Sequence, residues 1–148
     1  MLELIVTVVI TVSSVLMFGY WFRYTCLLIL SARTTRDYAA DIATANQLSF
    51  LQVQSELREN PADLDRLKAS LDRDLAVVTN LIQNASGQGE WGLEDRMLQL
   101  NYRLMSSWCS ISQRFSVEAS RRALDEMSMI VSHFANTVGE RAAVGAAA

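Results

Sequence analysis

The chain has few residues that interrupt helices, and this scarcity already restricts its fold class. Among 148 residues there is one proline, Pro61, and the glycines that stand close together are Gly87, Gly89 and Gly92. Clustered helix breakers therefore fall at two places, Pro61 and the 87–92 segment. No window alternates apolar and polar residues between turn signals for long enough to be a strand. The sequence predicts an all-α protein.

Cysteine, histidine and basic residues are scarce as well, and each scarcity excludes a class of site. Two cysteines, Cys26 and Cys109, are too few for a disulfide framework. We expect both to be buried thiols, with lipidation as the alternative for Cys26, which lies beside an apolar run. His133 is the only histidine and has no ligand-spaced cysteine or carboxylate, so no metal or cofactor is expected. A net charge of −3 with mixed signs argues against a nucleic-acid partner.

Catalytic signatures are missing from the sequence too. Acidic pairs such as Asp72 and Asp74 are two residues apart, so on a helix they point in different directions and cannot share a proton or an ion. Gly87-Gln88-Gly89 lacks the preceding strand of a phosphate-binding loop, and no serine has the glycine spacing of a hydrolase nucleophile. We expect no catalytic residues, and an enzyme ranks last among the functional hypotheses.

A long apolar segment opens the chain. Residues 4–22 are uncharged, Arg23 follows, and residues 24–32 are uncharged again. About 20 apolar residues are needed to cross roughly 30 Å of hydrocarbon, so residues 1–32 are predicted to be a transmembrane helix with a juxtamembrane extension. Tyr20, Trp21, Arg23 and Tyr24 are the expected interface residues, because aromatic rings and cations settle at headgroups. A cleaved signal peptide is disfavoured, since no basic residue precedes the apolar run.

The arginines that flank this segment predict its orientation. None precedes the apolar run, whereas Arg23, Arg33 and Arg36 follow it. The positive-inside rule then places the N-terminus outside and the C-terminal part in the cytoplasm. The expected location is an inner or plasma membrane, crossed once.

Residues 33–141 are predicted to form an antiparallel bundle of three helices, followed by a flexible tail over 142–148. The expected helices span roughly residues 35–59, 61–85 and 92–138. Asn60, Pro61 and Asp63 supply the start signal of the second helix. A bend in the long third helix is expected within residues 106–112 or 118–122.

Apolar residues recur three or four positions apart, which is typical of helices with one buried face. The second helix carries such a stripe, with four polar residues (Asp65, Lys68, Asp72 and Asp74) off it. The stripe consists of Leu64, Leu67, Leu71, Leu75, Val78, Ile82 and Ala85. The end of the third helix continues the pattern with Leu124, Met127, Val131, Phe134 and Val138.

The segment 97–115 carries two adjacent apolar stripes, which is more than one bundle covers. The first, with Leu104 and Ile111 at its centre, is predicted to be core, and it consists of Met97, Leu100, Leu104, Trp108, Ile111 and Phe115. The candidate interaction face is the set Leu98, Tyr102, Met105, Trp108 and Cys109. Surplus apolar surface tends to mark an interface. A mixed-charge docking face made of Glu118, Arg121, Arg122, Asp125 and Glu126 is the alternative.

These features favour a non-enzymatic interaction protein. The leading hypothesis is an accessory subunit or adaptor that sits in the lipid bilayer and docks on a larger membrane complex or on a second copy of itself. The alternative is a signalling or mechanical relay through one continuous helix, because residues 20–59 after Gly19 contain neither proline nor glycine.

Overall fold

The computed structural model describes residues 1–32, 36–59, 63–85 and 91–147, and within these ranges it contains six helices and no strand. The predicted all-α class is therefore confirmed for the described part of the chain. The helices are α1 (Leu2–Ser31), α2 (Ala39–Asn46), α3 (Phe50–Arg58), α4 (Leu64–Ala85), α5 (Leu93–Ser112) and α6 (Val117–Ala147). The chain divides into two compact units, Met1–Ala32 and Arg33–Ala148, and the second is called the helical unit below.

The first unit is the single helix α1. It is 30 residues long and, among the described helices, it is the one that is long and apolar enough to cross a membrane. Two of its hydroxyl groups bond within the helix: Thr7 Oγ1 donates to the Glu3 carbonyl and Thr11 Oγ1 to the Thr7 carbonyl, both at 2.8 Å. Such internal bonds let hydroxyl side chains lie in an apolar helix without an unpaired donor.

The core of the helical unit is organised around α6, which contacts α2, α3, α4 and α5. The stripe predicted near its centre is confirmed, since Leu124, Met127, Val131 and Phe134 are fully buried. The helix continues to Ala147, so the flexible tail expected from residue 142 is helical instead. Alanine, which dominates this end of the chain, has the highest helix propensity of any residue.

The single helix expected over residues 35–59 is two helices, α2 and α3. Gln47 ends α2 in the left-handed region, with φ 53° and ψ 43°, and the Leu48 amide returns to the Ala43 carbonyl at 2.9 Å. The chain then turns into α3, and the Ser49 amide donates to Asp74 Oδ2 of α4 at 2.6 Å. A side chain from another helix thus caps the start of α3. For this reason the local sequence did not predict the break between α2 and α3.

The helix expected over residues 92–138 is also divided, between Ser112 and Val117. The bends expected within 106–112 and 118–122 lie on either side of the actual turn. Ser116 begins α6, because its Oγ accepts a hydrogen bond from the Ala119 amide at 3.2 Å. The Ser112 and Ser120 hydroxyls, 2.9 Å apart and buried, tie the two helix ends together.

The apolar stripe of α4 is confirmed at four positions, Leu67, Leu71, Val78 and Ile82, which are buried. Asp74, expected off this stripe, is fully buried on it. Its carboxylate occupies a core position because it accepts the amide at the start of α3.

The start signals of α4 and α5 are only partly within the described residues. At the beginning of α4, Asp63 Oδ1 accepts from the Arg66 amide at 3.0 Å. The expected cap at Asn60 and Pro61 lies outside the described residues, as do Gly87 and Gly89. Gly92 precedes α5, and its amide donates to Asp95 Oδ2 at 3.2 Å. Carboxylates therefore satisfy exposed amides at both helix starts.

Candidate interaction surface

The inner face of α5 carries three of the five residues predicted for the interaction face. Leu98 and Cys109 are fully buried, and Tyr102 is 3% exposed. These side chains pack within the helical unit and are not available to a partner, which corrects the predicted face. Met105 is partly buried, and Trp108 is half exposed.

Polar contacts with α4 and α6 determine which face of α5 points into the core. The Tyr102 hydroxyl donates to Asp72 Oδ1 of α4 at 2.8 Å. Asn101 Nδ2 donates to Glu126 Oε1 of α6 at 2.6 Å, and both of these side chains are buried. Burial, helped by the Asp72 hydrogen bond, raises the pKa of Tyr102 well above its ordinary value, so the phenol stays protonated and keeps donating. Buried polar pairs of this kind specify one packing arrangement of the helix.

The opposite side of α5 is an exposed apolar face. Leu104 is 47% exposed and Ile111 is 54% exposed, although both were expected at the centre of the core. We call this face the outer stripe, and it consists of Leu93, Leu100, Leu104, Trp108, Ile111 and Phe115. The two stripes of the segment are therefore exchanged relative to the prediction: the stripe expected to be core is the one that faces outward.

A row of arginines runs along one edge of the outer stripe. Arg96 and Arg103 are exposed, and at 100° per residue they fall on the same side of it; Arg114, also exposed, follows in the turn after α5. Across the residues that the structure describes, none of these three side chains takes part in an ion pair. We call these residues the arginine edge. The other side of the stripe borders Asn101, which turns into the core.

The mixed-charge face predicted at the start of α6 is held mainly by pairs within the chain. It borders a groove of about 410 Å³ lined by Leu57, Arg58, Glu118, Arg121, Arg122 and Asp125. Arg121 donates to the Leu57 carbonyl at 2.5 Å, and Arg122 donates to Glu118 at 3.3 Å. Glu126, expected on this face, is instead buried against Asn101. These pairs leave fewer charges for a partner than the arginine edge does.

Few side chains of the described residues have reactive groups, and they form no metal site. Among the described residues, no group of three or more histidine, cysteine and acidic side chains is placed to hold a metal ion. Desolvation lowers the pKa of His133, which lies against the ring of Phe134 at 6.1 Å. Cys109 is a buried thiol whose pKa is raised by burial, and Cys26 is buried as well. His133 and Cys109 are therefore part of the packing of the helical unit.

The predicted membrane-interface residues all lie on α1. Tyr20, Trp21 and Tyr24 are 74%, 57% and 53% exposed. The rings of Tyr20 and Tyr24 are stacked with their centroids 6.4 Å apart. Arg23 lies between them in the sequence, so this end of α1 combines a cation with exposed aromatic rings.

The outer stripe and the arginine edge together form the candidate interaction surface of the helical unit. Except for Arg114 and Phe115 in the following turn, their side chains come from α5, whose other face is fixed by core packing and buried hydrogen bonds. The comparison of the chain with family models, curated proteins and solved structures found no match.

Proposed function

We propose that the chain is a non-enzymatic, membrane-anchored helical protein that serves as an accessory subunit or adaptor and docks on a larger membrane complex. In this proposal α1 spans an inner or plasma membrane once, with the N-terminus outside and the helical unit in the cytoplasm. Arg23, Arg33 and Arg36, which follow the apolar run, support that orientation.

The outer stripe is the observation that carries the proposal. Its six large apolar side chains are between 47% and 84% exposed, and contiguous exposed apolar side chains of this kind tend to mark an interaction site. Leaving such a surface in water forgoes a large hydrophobic stabilisation, since burial contributes about 25 cal/mol per Å². A partner that covers the stripe recovers this energy.

The rigidity of the surface also suits docking. The turn of residues 113–116 between α5 and α6 is short, which is typical of antiparallel neighbours in a helical bundle. Because α5 is held by the core, its outer side chains lose little freedom when a partner binds. An adaptor of this kind binds without rearranging its own fold.

The relay hypothesis has weaker support. A relay needs one helix running from the membrane segment to Glu59, but α1 ends at Ser31 and Ala32 adopts an extended backbone with ψ 120°. The segment that follows contains two further short helices, α2 and α3. A segment made of several short helices transmits movement less well than one continuous helix.

The test compares the native mass of the full-length protein with that of stripe variants. The protein would be extracted in mild detergent from the cells that produce it, and its complexes would be sized by native electrophoresis. We expect Leu104→Asn with Ile111→Asn to release the protein from a larger complex. Leu51→Asn with Val144→Asn is the matched control, because those side chains are exposed elsewhere, at 43% and 71%. A wild-type protein that migrates alone would overturn the proposal.

A further inference from the structure

We propose that the outer stripe binds an amphipathic helix of a partner protein that carries acidic side chains along one edge. This inference rests on the proposed function and adds the chemistry of the partner. It is argued from the spacing of the apolar side chains and the position of the arginine edge.

The spacing of the stripe favours a helix as the occupant. On α5 the stripe repeats every eleven residues, from Leu93 to Leu104 and from Leu100 to Ile111. Eleven residues per three turns is 3.67 residues per turn, close to the 3.6 of a straight helix. The stripe therefore runs almost parallel to the α5 axis, and a second helix can lie along its whole length.

The arginine edge supplies the chemistry of the partner. Arg96 and Arg103 lie on one side of the stripe on α5, Arg114 follows in the turn, and none of the three forms an ion pair with a described residue. Charges beside an apolar seam set partner choice and orientation in paired helices. A partner helix with glutamate or aspartate on the facing edge would pair with Arg96 and Arg103.

A second copy of this chain fits the charge pattern poorly. An antiparallel pair of α5 helices would bring the two arginine edges together. A parallel pair would set each arginine edge against the other side of the stripe, but the only acids on α5, Glu94 and Asp95, lie in its first turn. Arg103 and Arg114 would then face no acid, and like charges oppose such pairing.

A lipid surface is also a poorer occupant than an acidic helix. A helix that lies on a bilayer is rich in basic residues along its polar face. Here the cations are confined to one edge, while the other side of the stripe meets Asn101 and the core.

The test identifies the occupant by photocrosslinking in the full-length protein. A photoreactive residue would replace Leu104, and in a second variant Arg103, in the cells that produce the chain. Mass spectrometry would then map the attached segment. We expect both positions to attach to one partner segment with a helical apolar pattern and acids spaced three or four residues apart. Attachment to lipid, to a second copy or to a segment without acids would overturn the inference, as would no attachment.

The charge requirement is then measured with the mapped segment as a synthetic peptide. We expect the variant R96E/R103E/R114E to bind it at least tenfold more weakly, and R96K/R103K/R114K to bind within about threefold of wild type, since it keeps the charges. The control R58E/R66E/R122E reverses three exposed arginines of other helices and should change affinity little. Thermal melts would verify that every variant is folded.

The two proposals fail separately in these experiments. If Leu104→Asn with Ile111→Asn disperses the complex while R96E/R103E/R114E binds the peptide normally, the inference of an acidic partner helix is refuted. The proposed adaptor function is then retained. If the stripe variant leaves the native mass unchanged, the adaptor function falls together with the inference.

Discussion

A Cβ atom added to Gly139 would lie 2.2 Å from the Cβ of Tyr38, well inside van der Waals contact. Gly139 is buried on α6, and Tyr38 is the residue that precedes α2. One turn earlier on α6, Asn136 Oδ1 accepts the Tyr38 amide at 2.7 Å. The start of α2 therefore packs against α6 at Gly139, where α6 has no side chain.

Gly139→Ala is expected to destabilise the helical unit. Overpacking typically costs about 1–3 kcal/mol, which exceeds the gain of roughly 0.5–1 kcal/mol from replacing glycine by alanine within a helix. The measurement is a thermal melt followed by circular dichroism on the full-length protein. Gly145→Ala on the same helix is the matched control, because nothing lies within 4 Å of the added atom. An equal response of both variants would contradict the close contact.

Substitutions on the two faces of α5 should differ sharply in their effect on stability. Leu98→Asp places a charge at a fully buried position, which costs several kcal/mol, and should unfold the helical unit. Leu104→Asp changes a side chain that is 47% exposed and should shift stability by at most about 0.5 kcal/mol. Denaturant unfolding of the full-length protein measures both. Unfolding caused by the Leu104 variant would show that the outer stripe is covered within the chain.

The helices of this fold were predictable where the core is purely apolar. The α6 stripe around Leu124 and Phe134 and the α4 stripe around Leu71 are buried as expected, because their spacing alone defines one apolar face. On α5 the spacing of the larger apolar residues predicted burial of the face that is in fact exposed. The inner face includes Asn101 and Tyr102, whose partners lie on other helices, and periodicity within one helix does not contain that information.

The spacing of Asp74 in the sequence indicated a buried position, but the prediction placed this residue off the stripe because its side chain is charged. It stands between Leu71 and Val78 at helical spacing, so it completes the buried stripe of α4. A carboxylate there is acceptable only because the start of α3 supplies a donor to it. The break at Gln47, by contrast, has no glycine or proline, and its cap comes from across the fold.

The Tyr102–Asp72 hydrogen bond should appear as a coupling in a double-mutant cycle. Tyr102→Phe removes the donor and Asp72→Ala removes the acceptor of the 2.8 Å bond. We expect each to lower the free energy of unfolding, with a coupling of about 0.5–1.5 kcal/mol. Chemical denaturation of the four proteins measures it, and strictly additive effects would mean that the bond contributes nothing.

Asp74 should make stability depend on pH. Burial raises the pKa of this carboxyl above its ordinary value of 3.8, so the folded protein holds the proton more tightly than the unfolded chain. The wild type therefore loses stability relative to Asp74→Asn as pH rises from below 3.8 through the folded pKa. Melting temperatures of both proteins between about pH 4 and pH 7 test this. A difference that stays constant across the range would refute the raised pKa.

The membrane orientation is testable with terminal reporters. A reporter fused after Ala148 should report a cytoplasmic location, because Arg23, Arg33 and Arg36 follow the apolar run and no arginine or lysine precedes it. Replacing these three arginines with glutamine should reduce the preference for a cytoplasmic C-terminus. Activity of a reporter that works only outside the cytoplasm would reverse the topology.

The central place of α6 has a consequence for how the protein is made. The bond between the Tyr38 amide and Asn136 joins residues 98 positions apart, and α2 to α5 all pack on α6. At about 5–20 residues per second, the ribosome needs roughly 5–20 s to add those residues. During that interval α2 to α5 emerge without the helix that covers their apolar faces. Synthesis therefore exposes α1 well before the helical unit can close, so the proposed insertion of α1 into a membrane would precede folding of that unit.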